Sequence, residues 1–407
     1  MHPKIRVASL YRSLRTGGDE RRLMHFSQGF DRARFDHVLF VVFPPDPAER
    51  ALEGPILSEF RETGVEVIYL ENEPERWTRP WLRPTIAAAG LGLLSRLIRE
   101  LRTRKIDVLD ARLAGAIPLA LVAGKLSGTP VIVGAQYNLY TVDTRRRRML
   151  MQIGWPWLDA LVCDSRLRLD EMRSAIRFPP RGVVIDNGIT PPRSERSVEE
   201  IRRALDLPVS PHIRIIGQVA TLLRFKGYSI LLEAAALVLA REPDTAFLFC
   251  GFSREDGYRE ELLARARELG ITDRVRIVGY QGSIGDVWKI IDIHAHASLY
   301  DSAPQTIVES MSLAKPAVVT SAGGIPEMIE PGVTALMVEP NRPDLFADAL
   351  LRLLRNPEEG RQLGEAAKRR FEQRYRGEVM VRAIEALYEE LLSRRRPPAK
   401  EGRTAIF

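Results

Sequence analysis

Ser298-Leu-Tyr-Asp-Ser-Ala-Pro-Gln-Thr-Ile-Val-Glu-Ser-Met311 leaves an apolar run and enters a stretch with helical spacing. Asp301 and Ser302 precede Pro304, and a proline in the first turn after an Asp or Ser cap is a common helix start. The pattern predicts a strand over Ile291 to Ala297 and a helix over Thr306 to Leu313, so the helix begins about where the strand stops. Strand followed by helix is the unit of a doubly wound sheet, whose ligands sit beyond the carboxyl ends of the strands. The positive end of such a helix favours phosphate. Glu309 follows Asp301 by eight residues, roughly two turns, so both carboxylates are expected to face one pocket. A carboxylate accepts two hydroxyl hydrogen bonds at once, which suits a ribose or a sugar diol. Taken alone, the pair reads more simply as a helix cap and a solvated helix residue, since such spacings arise often by chance.

The same rhythm extends in both directions. The first half offers strands at Ile5 to Leu10, Val38 to Phe43, Val65 to Leu70, Val108 to Asp110, Val131 to Gly134, Ala160 to Cys163 and Val183 to Ile185, with helical patterns such as Glu20 to Gln28 and Ile86 to Arg104 between them. The second half restarts at Ile213 to Val219 and continues through Ala246 to Cys250, Val275 to Val278, Ile291 to Ala297, Ala317 to Thr320 and Ala335 to Val338. Its helices are expected at Ser229 to Arg241, Tyr258 to Leu269, Thr306 to Leu313 and Pro343 to Leu354. Alternation of this kind indicates βαβ units and parallel sheets. Thr190 to Ser197, with Pro191, Pro192 and two serines, reads as a linker. The expected domains are therefore 1–192 and 193–377, followed at 378–407 by a helix and tail that could close the second domain or cross back onto the first.

A chain of 407 residues is longer than one hydrophobic core usually supports. Its 45% hydrophobic and 28% charged content excludes extensive disorder. Cys163 and Cys250 lie far apart in apolar runs, which excludes a disulfide scaffold and suits a reducing, cytoplasmic compartment. No apolar stretch reaches the ~18 residues needed to span a bilayer, and no secretory signal is expected. The first 197 residues carry 31 Lys/Arg against 23 Asp/Glu, so the net charge of +7 belongs to the first half. With no nucleic-acid-binding signature beside it, this basicity suits an anionic membrane or phosphorylated acceptor better than nucleic acid. Arg145 to Arg148, followed by apolar residues up to Trp157, reads either as an interfacial membrane segment or as a solvated run beside a core helix; Trp77, Trp81 and Ile86 to Leu94 share that ambiguity.

Two further motifs flank the opening stretch. Gly217-Gln-Val-Ala-Thr-Leu-Leu-Arg-Phe-Lys-Gly227 leaves the first strand of the second domain, placing Arg224 and Lys226 at a turn where cations could clamp a diphosphate. Lys315 to Glu327 contains Gly323-Gly324 at a strand end, where backbone could approach a ligand closely. His294 and His296 point to the same side of one strand; with no third ligand in view, sheet packing or a place near the donor is the simpler reading than a metal pair.

Together with Thr16-Gly17-Gly18-Asp-Glu20, Val184 to Ile189 and Asp273 to Gly279, these motifs resemble the retaining transferases of the "glycosyl transferases group 1" family (family four) in order and spacing over nearly the whole chain. The resemblance implies a GT-B fold: two Rossmann-like doubly wound domains facing across a cleft. It also implies a nucleotide diphosphate sugar as donor, UDP- or GDP-linked, and no metal or other cofactor. Lys226 would hold the diphosphate, with Arg224 standing in for an arginine whose usual place is Thr221. Tyr280 and Gln281 would meet the base, and Glu309 the ribose. Asp301 with Ala303, Pro304, Gln305 and Thr306 would hold the sugar and its phosphate, while Gly17 and Gly18 approach from the first domain. Arg112 and Gln136 stand where the family commonly has histidines near the transferred sugar, and Arg112 is the expected catalytic partner of Asp301 and Lys226. The implied acceptor is a glycan or lipid-linked molecule of bacterial surface polysaccharide synthesis, used at the inner membrane face. A catalytically weak nucleotide-sugar-binding protein or partner subunit is the alternative.

Overall fold

Short β-branched and apolar runs dictate the architecture, because strands buried on both faces read as continuous apolar segments. The computed structural model describes residues 3–14, 18–43, 60, 62–71, 83–113, 116–137, 155–175, 181–253, 255–279 and 283–395. Among these, seven parallel strands form one sheet: β1 (Ile5–Tyr11), β2 (Phe35–Val41), β3 (Glu66–Tyr69), β4 (Val108–Arg112), β5 (Val131–Gln136), β6 (Ala160–Cys163) and β7 (Gly182–Val184). Their order is β3-β2-β1-β4-β5-β6-β7. A second parallel sheet holds β8 (Arg214–Val219), β9 (Thr245–Cys250), β10 (Val275–Val278), β11 (Ile293–His296), β12 (Ala317–Thr320) and β13 (Leu336–Val338), in the order β10-β9-β8-β11-β12-β13. In each sheet the order reverses beside the first strand, at β1/β4 and at β8/β11. That reversal is where a doubly wound sheet opens its ligand crevice. Every predicted strand is found, most shifted by only a residue or two at an end.

Among the described residues, the first unit carries the helices α1 (Gly18–Gly29), α2 (Arg83–Thr103), α3 (Ile117–Ser127) and α4 (Arg166–Ala175). Those of the second are α5 (Val198–Ala204), α6 (Tyr228–Leu239), α7 (Tyr258–Glu268), α8 (Ile284–Ile290), α9 (Gln305–Ser312), α10 (Ile325–Met328), α11 (Pro343–Arg355) and α12 (Pro357–Arg374); α13 (Gly377–Arg395) follows. The compact units comprise residues 1–186 with 377–407, and 187–376. Helix α13 thus packs with the first unit: Tyr388 stands edge-on to Phe26 of α1 with ring centroids 6.4 Å apart, and Met380, Ile384, Leu387 and Leu391 join the same core as Val7 and Leu39. In the second unit, Phe247, Ala295 and Val318 of the sheet meet Leu231, Ala235 and Leu350 of the helices.

Thr190 to Ser197 contains no helix or named strand, but its last residue is a built cap. Ser197 Oγ accepts from the Glu200 N–H at 3.2 Å while Glu200 Oε2 accepts from the Ser197 N–H at 2.8 Å, a reciprocal capping box that starts α5. Ser197→Ala is expected to lower the melting temperature of the second unit by about 2–4 °C, read by scanning calorimetry.

Candidate functional site: a carboxylate held between a lysine and a histidine

Gln218, fully buried near the carboxyl end of β8, organises the ground around the reversal point. Its Nε2 donates to the Lys226 carbonyl at 2.8 Å and its Oε1 accepts from the Ala297 N–H at 2.9 Å, tying the lysine turn to the end of β11. The Leu299 N–H adds a bond to the Phe225 carbonyl at 2.7 Å. Gly227 closes the 3-10 turn Arg224–Lys226 at φ +72°, and a Cβ there would lie 1.9 Å from the Ala297 oxygen. Only glycine permits this approach, which delivers Lys226 to β11.

The Lys226 ammonium donates to Asp301 Oδ2. The same oxygen lies 3.3 Å from His296 Nε2, and His296 Nε2 is 3.0 Å from Ser298 Oγ. Thr320, at the end of β12, fixes this corner by donating to the Ser298 carbonyl at 2.5 Å. Burial alone would raise the Asp301 carboxyl, but the Lys226 charge and then His296 hold it well below the usual carboxylate range. Burial and Lys226 lower His296, against the pull of Asp301. The site thus presents an ionised carboxylate, a lysine cation and a neutral imidazole at the carboxyl ends of neighbouring strands.

This arrangement corrects one expectation. Asp301 does not cap the helix: Pro304 occupies the N-cap position of α9, and no side chain bonds there. The carboxylate turns back to Lys226 and His296 instead. Gly323-Gly324 packs on the same loop: Gly323, at φ +60°, makes room for the Asp301 carbonyl, which the Gly324 N–H binds at 2.8 Å. The double glycine shapes the Asp301 loop. Asn187 braces that loop further on by donating to the Ala303 carbonyl at 2.7 Å.

Glu309 is held separately. Oε2 accepts from the indole Nε1 of Trp288 at 2.6 Å, both side chains being buried. Its charge is felt at Cys250, whose thiol is pushed up to about 12 by burial and then by Glu309. Of the two cations expected as a clamp, Lys226 stands beside Asp301, whereas the Arg224 guanidinium binds Glu255 and Glu261 at 3.2 and 2.6 Å and lies over the Tyr258 ring. Ala303 and Pro304 lead into α9, and Gln305 and Thr306 form its first turn. Pro304 has no N–H, so amide donors here come only from its neighbours.

Arg112 lies at the end of β4 in the first unit, 2% exposed, 2.8 Å from Asp110 and stacked over Phe26. Burial opposes its charge and Asp110 restores it, raising the guanidinium above its ordinary value. Asp110 thus occupies Nε and Nη2 of Arg112, while Nη1 finds no hydrogen-bond partner. Gln136 is fully buried as well. Gly18 opens α1, while Gly17, Tyr280 and Gln281 lie outside the described residues, as do Trp77, Trp81 and Arg145 to Arg148. Trp155–Trp157 forms a short turn with Trp155 buried, and Leu91 on α2 is 66% exposed. No helix among the described residues is long and apolar enough to cross a membrane, and none of their His, Cys, Asp and Glu side chains gathers as a metal-binding group.

His294 is fully buried, 5.0 Å from the Trp288 ring and 5.7 Å from His296, and neither ring nitrogen has a hydrogen-bond partner. Burial, reinforced by His296, drives its pKa well below the ordinary value. The unfolded chain takes up a proton near pH 6.5 and the folded chain does not, so stability from this group is complete above that pH and declines as the pH falls below it. His294→Leu is expected to raise the melting temperature at pH 7.5, because it removes unsatisfied polar atoms, and to raise it further at pH 5.5. Equal gains at the two pH values would show that His294 does not titrate between states.

The model of the "Glycosyl transferases group 1" family matches residues 188–370, and that of "Glycosyltransferase Family 4" matches 16–193. This chain belongs to the group 1 glycosyltransferases. The D-inositol 3-phosphate glycosyltransferase of Corynebacterium jeikeium is 33% identical over 236 residues, covering 56% of this chain and 54% of that protein. The chain spans about half the length of the curated relatives it matches. Two solved structures confirm the two-domain α/β GT-B fold of the family. A glycosyltransferase from Rickettsia africae superposes with a TM-score of 0.80 at 17% identity, over 96% of this chain and 99% of that one. Anabaena HepE in complex with UDP-glucose gives 0.77 at 18% identity, over 95% and 100%.

The sequence pattern singled out Lys226, Asp301 and Glu309 but not their supports. Gln218, Trp288 and Thr320 carry no local spacing signal, since their partners lie 8 to 79 residues away.

Proposed function

We propose that this chain is a glycosyltransferase that moves a sugar from a nucleotide diphosphate sugar with retention of anomeric configuration and without a metal. The observation that carries the reading is the Lys226–Asp301 pair at the reversal of the second sheet, backed by His296. In the donor complex Lys226 exchanges Asp301 for the diphosphate and offsets the charge that develops on the leaving group. Asp301, released but still braced by His296 and Ser298, accepts hydroxyls of the sugar. The start of α9 adds its positive end near the phosphate, and Glu309 takes the ribose. No nucleophilic side chain is needed: the leaving diphosphate removes the proton of the acceptor hydroxyl, and the protein supplies orientation.

The acceptor is proposed to be anionic or lipid-linked and to be met at the inner face of the membrane, in surface-glycan synthesis. The excess positive charge of the first half and the exposed Leu91 on α2 support this, as does the name of the corynebacterial relatives, which act on a phosphorylated inositol. HepE was solved with UDP-glucose, which makes UDP-sugars the first donors to try. A second reading, a donor-binding protein with weak or no transfer, is favoured by the burial of Arg112 and Gln136. The deciding experiment screens UDP- and GDP-sugars by thermal shift. Those that bind are then incubated with extracted lipid and glycan acceptors with and without chelator, and the linkage is read by NMR. Binding and retained-configuration transfer that survive the chelator are expected; binding with no transfer selects the second reading, and no binding removes both.

A further inference from the structure

We infer that Trp288 is a positioning residue for Glu309 and thereby sets the preference for a ribose-bearing donor. The inference rests on the reading that Glu309 takes the ribose. An indole N–H can only donate, so its 2.6 Å bond commits Glu309 Oε2 to one orientation. Because Glu309 is buried, that bond also compensates part of the cost of bringing a carboxylate out of water.

Trp288 is itself held in place by its surroundings. It is fully buried on α8, and its ring meets His294 nearly perpendicularly, at 84°. The start of α8 is locked to the chain entering the second unit: a Cβ on Gly285 would lie 1.8 Å from the Arg193 oxygen, and Asp286 accepts from Ser194 Oγ at 2.5 Å and from Arg196 at 3.1 Å. His294 continues to His296, which holds Asp301. One buried aromatic track, Trp288–His294–His296, therefore supports both carboxylates, one at each end. A carboxylate that must meet two vicinal hydroxyls depends on such support, because small misplacements cost disproportionately in recognition.

The test compares calorimetric affinities of UDP and GDP, each against its 2′-deoxy counterpart, for wild type, Trp288→Phe, Trp288→His and Glu309→Ala. Wild type is expected to favour the ribonucleotide by about tenfold or more. Trp288→Phe keeps the ring edge but loses the N–H, and should reduce that ratio toward one while leaving the deoxynucleotide affinity unchanged. Trp288→His, which retains a ring N–H, should restore part of the ratio and serves if the Phe variant does not fold. A full ratio in Trp288→Phe, or equal weakening of both nucleotides, overturns the inference provided Glu309→Ala abolishes the ratio. A ratio that survives Glu309→Ala, or is absent from wild type, overturns the ribose reading itself.

Discussion

Lys226→Ala is expected to lower donor turnover by about 10²- to 10³-fold, the effect of removing one preorganised group that stabilises charge in the transition state. It should also destabilise the second unit, by about 3–5 kcal/mol, because a buried carboxylate loses its partner; Lys226 and Asp301 are only 15% and 14% exposed. The two consequences separate in the double variant. Lys226→Ala with Asp301→Asn removes the orphaned charge and should regain most of the stability, read by denaturant unfolding, yet remain as inactive as the single variant. Recovery of turnover in the double variant would show that neither the Lys226 cation nor the Asp301 carboxylate is needed for transfer. The pH dependence has a definite sign. Asp301 is depressed in the folded chain, so the pair's contribution is complete above about pH 4 and is lost only as the pH falls through the depressed native value.

The contrast between local and distant signals explains what the sequence discloses. The thirteen strands of the described residues are legible as short apolar runs; central ones such as Ala160–Cys163 and Ala246 to Cys250 are buried on both faces, while the edge strands β3, β7, β10 and β13 are partly accessible. Helix α3 is harder to recognise: Ile117–Ser127 is apolar almost all round and reads as a featureless hydrophobic run rather than as an amphipathic stripe. Helix α12 escapes for the opposite reason. Its Pro357, Gly360 and Gly364 look like breakers, but Pro357 sits at the start, and Gly364 allows α12 to pass the Ala314 carbonyl, where a Cβ would stand at 2.1 Å. Ser197 to Glu200 carries a readable capping box inside a segment that otherwise reads as linker. In the site, Asp301 has the local signature of a cap, and partners 75 and 5 residues earlier in the chain turn it away from the helix. Glu309 likewise depends on Trp288, 21 residues before it. Residue types and spacing reveal which groups carry charge in the site; which partner each one faces is a property of the sheet order.

Gly323→Ala is expected to remove more stability than any other single methyl addition to the Asp301 loop, and to abolish donor binding with it. Two costs add. At φ +60° an alanine occupies the left-handed region, which disfavours any Cβ by roughly 1–2 kcal/mol. The new Cβ would also stand 1.9 Å from the Asp301 oxygen, which is backbone and can move only by shifting the loop. The bond from the Gly324 N–H to that oxygen is then lost, and Asp301 leaves the reach of Lys226 and His296. A combined loss above about 3 kcal/mol follows, a drop in melting temperature of about 6–12 °C for a unit of this size. Gly332 provides the control. It has φ +74°, yet nothing lies within 4 Å of its would-be Cβ, so Gly332→Ala carries the conformational cost alone and should leave donor affinity intact. If calorimetry gives the two variants equal melting temperatures, the close approach of the double glycine to the Asp301 carbonyl does not hold the site together. A larger drop in Gly323→Ala, accompanied by lost nucleotide-sugar binding, ties the stability of that turn to the carboxylate it carries.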